Sequence, residues 1–127
     1  EFPQLAIEIN GGFKDLDSVA AQLGPTDGVM IGRAAADNPH LFSSVDGRFY
    51  KCTEPPRDRH AIVEACYPYV ERELLKGEAL HRLIKPMLNL FAGQRGSKAW
   101  KRHLSTEAYS GTAGLSTLRA ALEKVPR

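Results

Sequence analysis

Two short stretches of this sequence carry glycine where a phosphate could approach the backbone closely. Asn10-Gly11-Gly12 closes the apolar run that starts at Leu5, and Gly32-Arg33 follows Gly28-Val29-Met30-Ile31. Glycine presents no Cβ to an incoming anion, the start of a following helix offers unpaired N–H groups, and the Arg33 guanidinium adds a charge-assisted contact. Taken singly, Gly11-Gly12 serves equally as a tight turn and Arg33 as a surface residue. Two such loops one helix apart form a more specific pattern.

A second group of residues suits a polyanion. Lys98, Lys101 and Arg102 are spaced three and four apart, which places them on one face of a helix, while Trp100 and Leu104 turn elsewhere to pack. Neutralising several phosphates with such a face gives sequence-independent, salt-sensitive binding. Arg82, Lys85 and Arg95 extend the patch, and the alternative is a merely solvated helix face. Trp100 has a base-stacking reading, but a lone tryptophan at helical spacing is more often a core residue.

Other reactive side chains give less. Cys52 and Cys66 form no CxxC pair and have no ligand-spaced histidines beside them, so no metal site is expected, and buried reduced thiols are expected rather than a disulfide. His40, His60, His81 and His103 are scattered and read as surface or hydrogen-bonded residues, with His103 alone inside the basic run. Asp15 and Asp17 read as helix-start residues and Tyr67 and Tyr69 as packing residues. No side chain presents itself as a catalytic group.

The elements that must position these residues change character near Gly47. Leu5–Asn10 reads as a buried strand, Ser18–Leu23 as a helix capped by Asp15 or Asp17 and stopped by Gly24-Pro25, Gly28–Ile31 as a second strand, and Arg33–Ala36 as the start of a second helix. Strand, helix, strand, helix is a parallel α/β unit, and adjacent glycine loops at its strand ends describe the phosphate site after the last two strands of a TIM barrel. A linker with turn chemistry follows over 47–56. Beyond it every segment has helical period: Ile62, Cys66, Val70 and Leu74; Leu80, Leu83, Ile84, Met87, Leu88 and Phe91; a helix capped by Ser97; and Leu115, Leu118, Leu122 and Val125. Pro68 and Pro86 predict breaks within two of them. The expected fold is thus α/β then all-α, the last two βα units of a TIM barrel over 1–46 followed by a four-helix bundle over 57–127.

With 127 residues, the chain is too short for a complete barrel, which needs about 200 or more. About 45 residues of βαβ cannot cover both faces of a parallel sheet. The chain also opens at Glu1-Phe2, close to its first element, so it is expected to be the end of something larger. A composition of 43% hydrophobic and 25% charged residues excludes a disordered or fibrous chain, and no apolar run approaches the ~18 residues of a membrane span, which predicts a soluble protein. Charge divides unevenly. Glu1–His81 carries eight Lys and Arg against thirteen Asp and Glu, a net of −5, whereas Arg82–Arg127 carries nine against two, a net of +7. That separation favours a polyanionic partner for the second half.

Asn10-Gly11-Gly12-Phe13, then Asp27-Gly28-Val29-Met30-Ile31-Gly32-Arg33-Ala34-Ala35, then Asn38-Pro39, resembles the closing strands of tRNA-dihydrouridine synthases. Met87-Leu88-Asn89-Leu90-Phe91-Ala92-Gly93 and Trp100-Lys101-Arg102-His103-Leu104-Ser105 resemble the helical domain of that family's A branch. The similarity covers nearly the whole chain. It implies a flavoenzyme that reduces uridine to 5,6-dihydrouridine in tRNA, with FMN as hydride carrier and NADPH as donor. It also implies a flavin phosphate on Asn10, Gly11, Gly12, Gly32 and Arg33, and a helical domain that helps hold tRNA, the role expected for Lys98, Lys101 and Arg102. The family's active-site cysteine and its flavin-contacting lysine and histidine have no counterpart here, so the segment alone is expected to be inactive. The implied setting is the cytoplasm, or an organelle in a eukaryote, with no metal and no membrane. Two other readings stand beside it: a stand-alone helical RNA-binding or protein-interaction module, and the end of a different phosphate-binding TIM-barrel enzyme.

Overall fold

A computed structural model describes Phe2–Arg127, and the chain divides into two compact units, the first reaching to Glu54 and the second running Pro55–Arg127.

The first unit is built on two short parallel strands, β1 (Glu8–Asn10) and β2 (Gly28–Met30), in the register Glu8↔Gly28, Ile9↔Val29 and Asn10↔Met30. Asp27 fixes this register from outside the ladder. Its carboxylate accepts the Ile7 N–H at 2.8 Å, while its own N–H donates to the Ile7 carbonyl at 2.9 Å. Helix α1 (Leu16–Gln22) makes the crossover and buries Leu16 and Val19. Asp15 is its N-cap, accepting the Ser18 N–H at 2.7 Å, and Asp17 in the first turn pairs with Arg48 at 2.6 Å. After β2 come α2 (Arg33–Asp37), a 3-10 segment (Pro39–Ser44) and α3 (Val45–Phe49). Helix α3 runs through Asp46-Gly47, where a linker was expected to open; Asp46 instead accepts the Tyr50 and Cys52 N–H groups at 3.0 and 3.1 Å through its carbonyl, folding the chain back.

The second unit is helical: α4 (Arg59–Ala65), α5 (Tyr67–Leu75), α6 (Leu80–Leu83), α7 (Ser97–Glu107) and α8 (Leu115–Leu122). The apolar stripe from Ile62 to Leu74 is broken at Cys66, because Pro68 can occupy the first turn of a new helix but not the interior of an old one. The stripe from Leu80 to Phe91 is one α-turn, a 3-10 turn (Lys85–Met87) and then successive turns, so the continuous helices of a four-helix bundle are not what forms here. Pro86 has no N–H to continue the α ladder. Bonds from Met87 to the Ile84 carbonyl (2.8 Å), Leu90 to Met87 (2.9 Å) and Ala92 to Asn89 (3.0 Å) replace it and still turn Ile84, Leu90 and Phe91 inward.

One core holds this unit, centred on Val63, Val70, Ile84, Phe91, Trp100, Leu104 and Leu118. The Trp100 ring meets Phe91 edge-to-face at 4.9 Å, and its N–H donates to the Leu88 carbonyl at 3.2 Å. His60 is buried against Phe91 with its Nε2 2.9 Å from the Val125 carbonyl, and the Arg59 Nε–H donates to the Leu90 carbonyl at 2.9 Å. Gly96, not Ser97, is the N-cap of α7. Its φ of +86° is left-handed, and a Cβ there would lie 2.7 Å from the Lys124 carbonyl, so the chain end packs where only glycine fits.

Candidate functional site

In the first unit the parallel register sends two loops off the same edge of neighbouring strands. Asn10-Gly11-Gly12 leaves β1 and Gly32-Arg33 leaves β2. They line one cavity of about 740 Å³ together with Phe13, Lys14, Met30, Ala34, Asp37 and Asn38. All five residues expected at a phosphate site therefore come together. Gly11 and Gly12 have φ of +143° and +73°, and a Cβ at either would meet nothing within 4 Å, so the space beside their α-carbons is open. Gly32 has an ordinary negative φ of −98°. Arg33 is exposed and in no salt bridge among the described residues.

The helix starts behind these loops contribute less than their sequence suggests. The Asp15 carboxylate already occupies the start of α1, where the Ser18 N–H and an adjacent hydrogen bond hold its pKa below the usual carboxylate range, so a second anion would be repelled there. Helix α2 has only five residues, which limits its dipole. What remains for an anion is loop N–H groups and the positive charges of Arg33 and Lys14. Sequence reasoning missed Lys14, although its place two residues beyond Gly12 was a usable signal.

In the second unit, α7 buries Trp100 and Leu104 on its inner side, followed by Ala108 at its C-cap, and leaves Lys98 and Arg102 exposed, with Lys101 half-buried between them. None of the three is in a salt bridge among the described residues. Trp100 is fully buried, so it cannot stack on a base. Arg95 and Lys85 are exposed, whereas Arg82 lies 4.0 Å from the Glu78 carboxylate. His103 is half-buried, and its Nε2 is buried without a hydrogen-bond partner.

Both cysteines are free. Cys52 is exposed, contrary to the expected buried thiol. Cys66 sits at the junction of α4 and α5, where burial pushes its thiol pKa up and disfavours the reactive thiolate. Tyr67 packs against the core beneath Arg119, but Tyr69 is 45% exposed beside Arg72 and does not pack as expected. Among the described residues no cluster of three or more His, Cys, Asp or Glu could hold a metal ion, and no helix is long and apolar enough to cross a membrane.

The family model described as dihydrouridine synthase (Dus) matches residues 1–125. The chain belongs to the dihydrouridine synthase family. Curated relatives named tRNA-dihydrouridine(20/20a) synthase include one from Vibrio parahaemolyticus, 42% identical over 127 residues, which are 100% of this chain and 39% of the relative. Another, from Escherichia coli O6:H1, is 41% identical over 125 residues, 98% of this chain and 38% of the relative. A third, from Salmonella typhimurium, is 40% identical over 125 residues with the same shares. The chain thus spans about two fifths of the length of these relatives. A dihydrouridine synthase domain implies a TIM barrel, and the parallel β1–β2 pair with its crossover helix is consistent with part of one.

Proposed function

We propose that this chain is the C-terminal portion of a flavin-dependent tRNA-dihydrouridine synthase, which reduces uridine to 5,6-dihydrouridine in tRNA in the cytoplasm. The observation that carries this reading is the pair of glycine loops on one edge of β1 and β2, opening on a single cavity beside an unpaired Arg33 in a chain of the dihydrouridine synthase family.

The residues present fit an FMN phosphate. Space stands open where a Cβ would be at Gly11 and Gly12, and the donors around it are backbone N–H groups, the Asn10 amide and two cations. Asn10, Gly11, Gly12, Gly32 and Arg33 would hold the phosphate, with Lys14 adding charge. When bound, FMN supplies the two-electron carrier between NADPH and the uracil ring. The residues up to Glu54 serve this end of the molecule. Pro55–Arg127 serves tRNA, with Lys98, Lys101 and Arg102 set against its phosphates by the burial of Trp100 and Leu104. Neither cysteine of this chain is placed to protonate a uracil ring at the loop cavity: Cys66 lies at the junction of α4 and α5 in the second unit, and Cys52 is not among the residues that line the cavity.

The test is to incubate the intact synthase with an unmodified tRNA transcript and NADPH, and to look by mass spectrometry for a nucleoside two hydrogens heavier than uridine. Flavin oxidation without that product would defeat the assignment. A second reading, a helical module that binds RNA or protein on its own, draws on the separate core of Pro55–Arg127. It expects full tRNA affinity from that unit alone, whereas the synthase reading expects weak binding, because a small basic unit covers one side of a tRNA and holds no pocket for an extruded base.

A further inference from the structure

The exposed stripe of α7 does not end with its cations. Lys98, Arg102, Ser105 and Tyr109 follow one another at steps of four, three and four, so they share about 60° of helical arc. Helix α7 ends at Glu107, but Ala108 stays in the right-handed region (φ −71°, ψ −11°) with its N–H on the Leu104 carbonyl at 3.1 Å, and the Ser110 N–H closes a turn on the Glu107 carbonyl at 3.2 Å. Tyr109 sits in that closing turn, one residue past the last α-type bond. It lies opposite the buried Trp100, Leu104 and Ala108 and is 68% exposed.

One face of the Tyr109 ring is already occupied. The His81 imidazole, at the start of α6, stacks on it with centroids 4.4 Å apart and planes 12° from parallel. The rest of the ring is open to solvent. Tyr109 makes no hydrogen bond among the described residues, so the stack on His81 is the contact that holds a ring this exposed. Its chemistry is a flat apolar face, backed by His81, beyond a row of exposed cations on α7. Sequence-tolerant binding of unpaired bases uses that combination: cations follow the backbone, and an aromatic ring takes the base.

We propose that the Tyr109–His81 pair is a stacking platform for one unpaired nucleobase of the tRNA whose phosphates lie along Lys98, Lys101 and Arg102. This rests on the tRNA-binding reading of α7. The platform itself reads no base identity, because every base has a face to stack; it places the strand along the helix. His81 stiffens the arrangement, so little freedom is lost when the base arrives.

The experiment measures affinity of the intact synthase for an unmodified tRNA transcript at two salt concentrations. Tyr109→Ala is expected to lower affinity about five- to a hundredfold while leaving the salt slope unchanged, since it removes a stacking face and no phosphate contact. Tyr109→Phe is expected to retain binding, because the ring and not the hydroxyl is used. The triple variant Lys98→Gln, Lys101→Gln, Arg102→Gln is expected to reduce the slope by up to roughly three units. Wild-type affinity in Tyr109→Ala, or loss in Tyr109→Phe equal to that in Tyr109→Ala, overturns the platform while the triple variant still upholds the basic face. A Tyr109→Ala variant that lowers the salt slope overturns it too, by showing that the change displaces α7. If the triple variant also binds as wild type at both salts, the tRNA reading fails and the platform with it.

Discussion

At the scale of single residues, two predictions separate roles that the sequence leaves merged. Arg33 lines the loop cavity without an ion-pair partner of its own, so in the intact synthase Arg33→Ala should weaken FMN retention by about 1.5–3 kcal/mol, read by equilibrium dialysis. Lys14 shares the cavity and should keep the loss toward the lower end, and the double variant should lose more. Unchanged flavin affinity would return Arg33 to the surface. The glycines differ among themselves in the same way. Gly77 and Gly96 both have positive φ, +92° and +86°, but only Gly96 has backbone against the place of a Cβ, at 2.7 Å to the Lys124 carbonyl and 2.9 Å to the Val125 Cα. Gly77→Ala should therefore cost only the left-handed strain, about 1–2 kcal/mol, and Gly96→Ala about 2–4 kcal/mol, compared by urea unfolding. Equal losses would show that the chain end does not press on Gly96.

At the scale of elements, helix starts carry the clearest pH dependence. The Asp58 carboxylate accepts the Ala61 N–H at 2.7 Å at the start of α4; that hydrogen bond, ahead of the fields of Arg127 and His60, holds its pKa below the usual carboxylate range. Asp15 is held down in the same way at α1 by Ser18. A carboxyl group whose folded pKa is depressed stabilises the fold above its unfolded pKa, and this contribution is lost as pH falls through the folded value. The melting temperature should then decline as pH drops below about 4, and Asp58→Asn, which caps without a titrating proton, should flatten that decline. A decline of the same steepness in Asp58→Asn would assign the acid sensitivity elsewhere.

At the scale of the whole molecule, the two units differ in what they bury. The cluster that joins Val63, Val70, Ile84, Trp100 and Leu118 lies wholly in Pro55–Arg127, whereas the first unit buries Leu16 and Val19 and leaves Leu5, Ile7, Met30, Phe42 and Tyr50 largely exposed. A two-stranded parallel sheet has no second layer to complete it. Brief proteolysis of this 127-residue chain should therefore cut first before Pro55 and leave the helical unit, read by mass spectrometry. A surviving N-terminal piece would reverse that order of stability.

What the sequence determined by itself is what repeats along the chain. The spacing of Trp100 and Leu104 fixes the inner face of α7 and thereby turns Lys98 and Arg102 outward, and an acidic residue at position 15 or 17 marks the start of α1. The glycines at both strand ends are likewise legible, because a loop conformation depends on its own residues. The tertiary structure decided what depends on residues far apart. It set Asn10 beside Met30, which brings the two glycine loops to one cavity and adds Lys14. It placed the Lys124 carbonyl where a Cβ of the Gly96 cap would be, and it divided the Leu80–Phe91 stripe into short turns. It also placed His81 against Tyr109, 28 positions along the chain. Spacing along the chain sets which side of an element a residue occupies. Which other element meets that side is settled only when the core closes and buried polar groups such as the Trp100 N–H and the His60 ring find their partners.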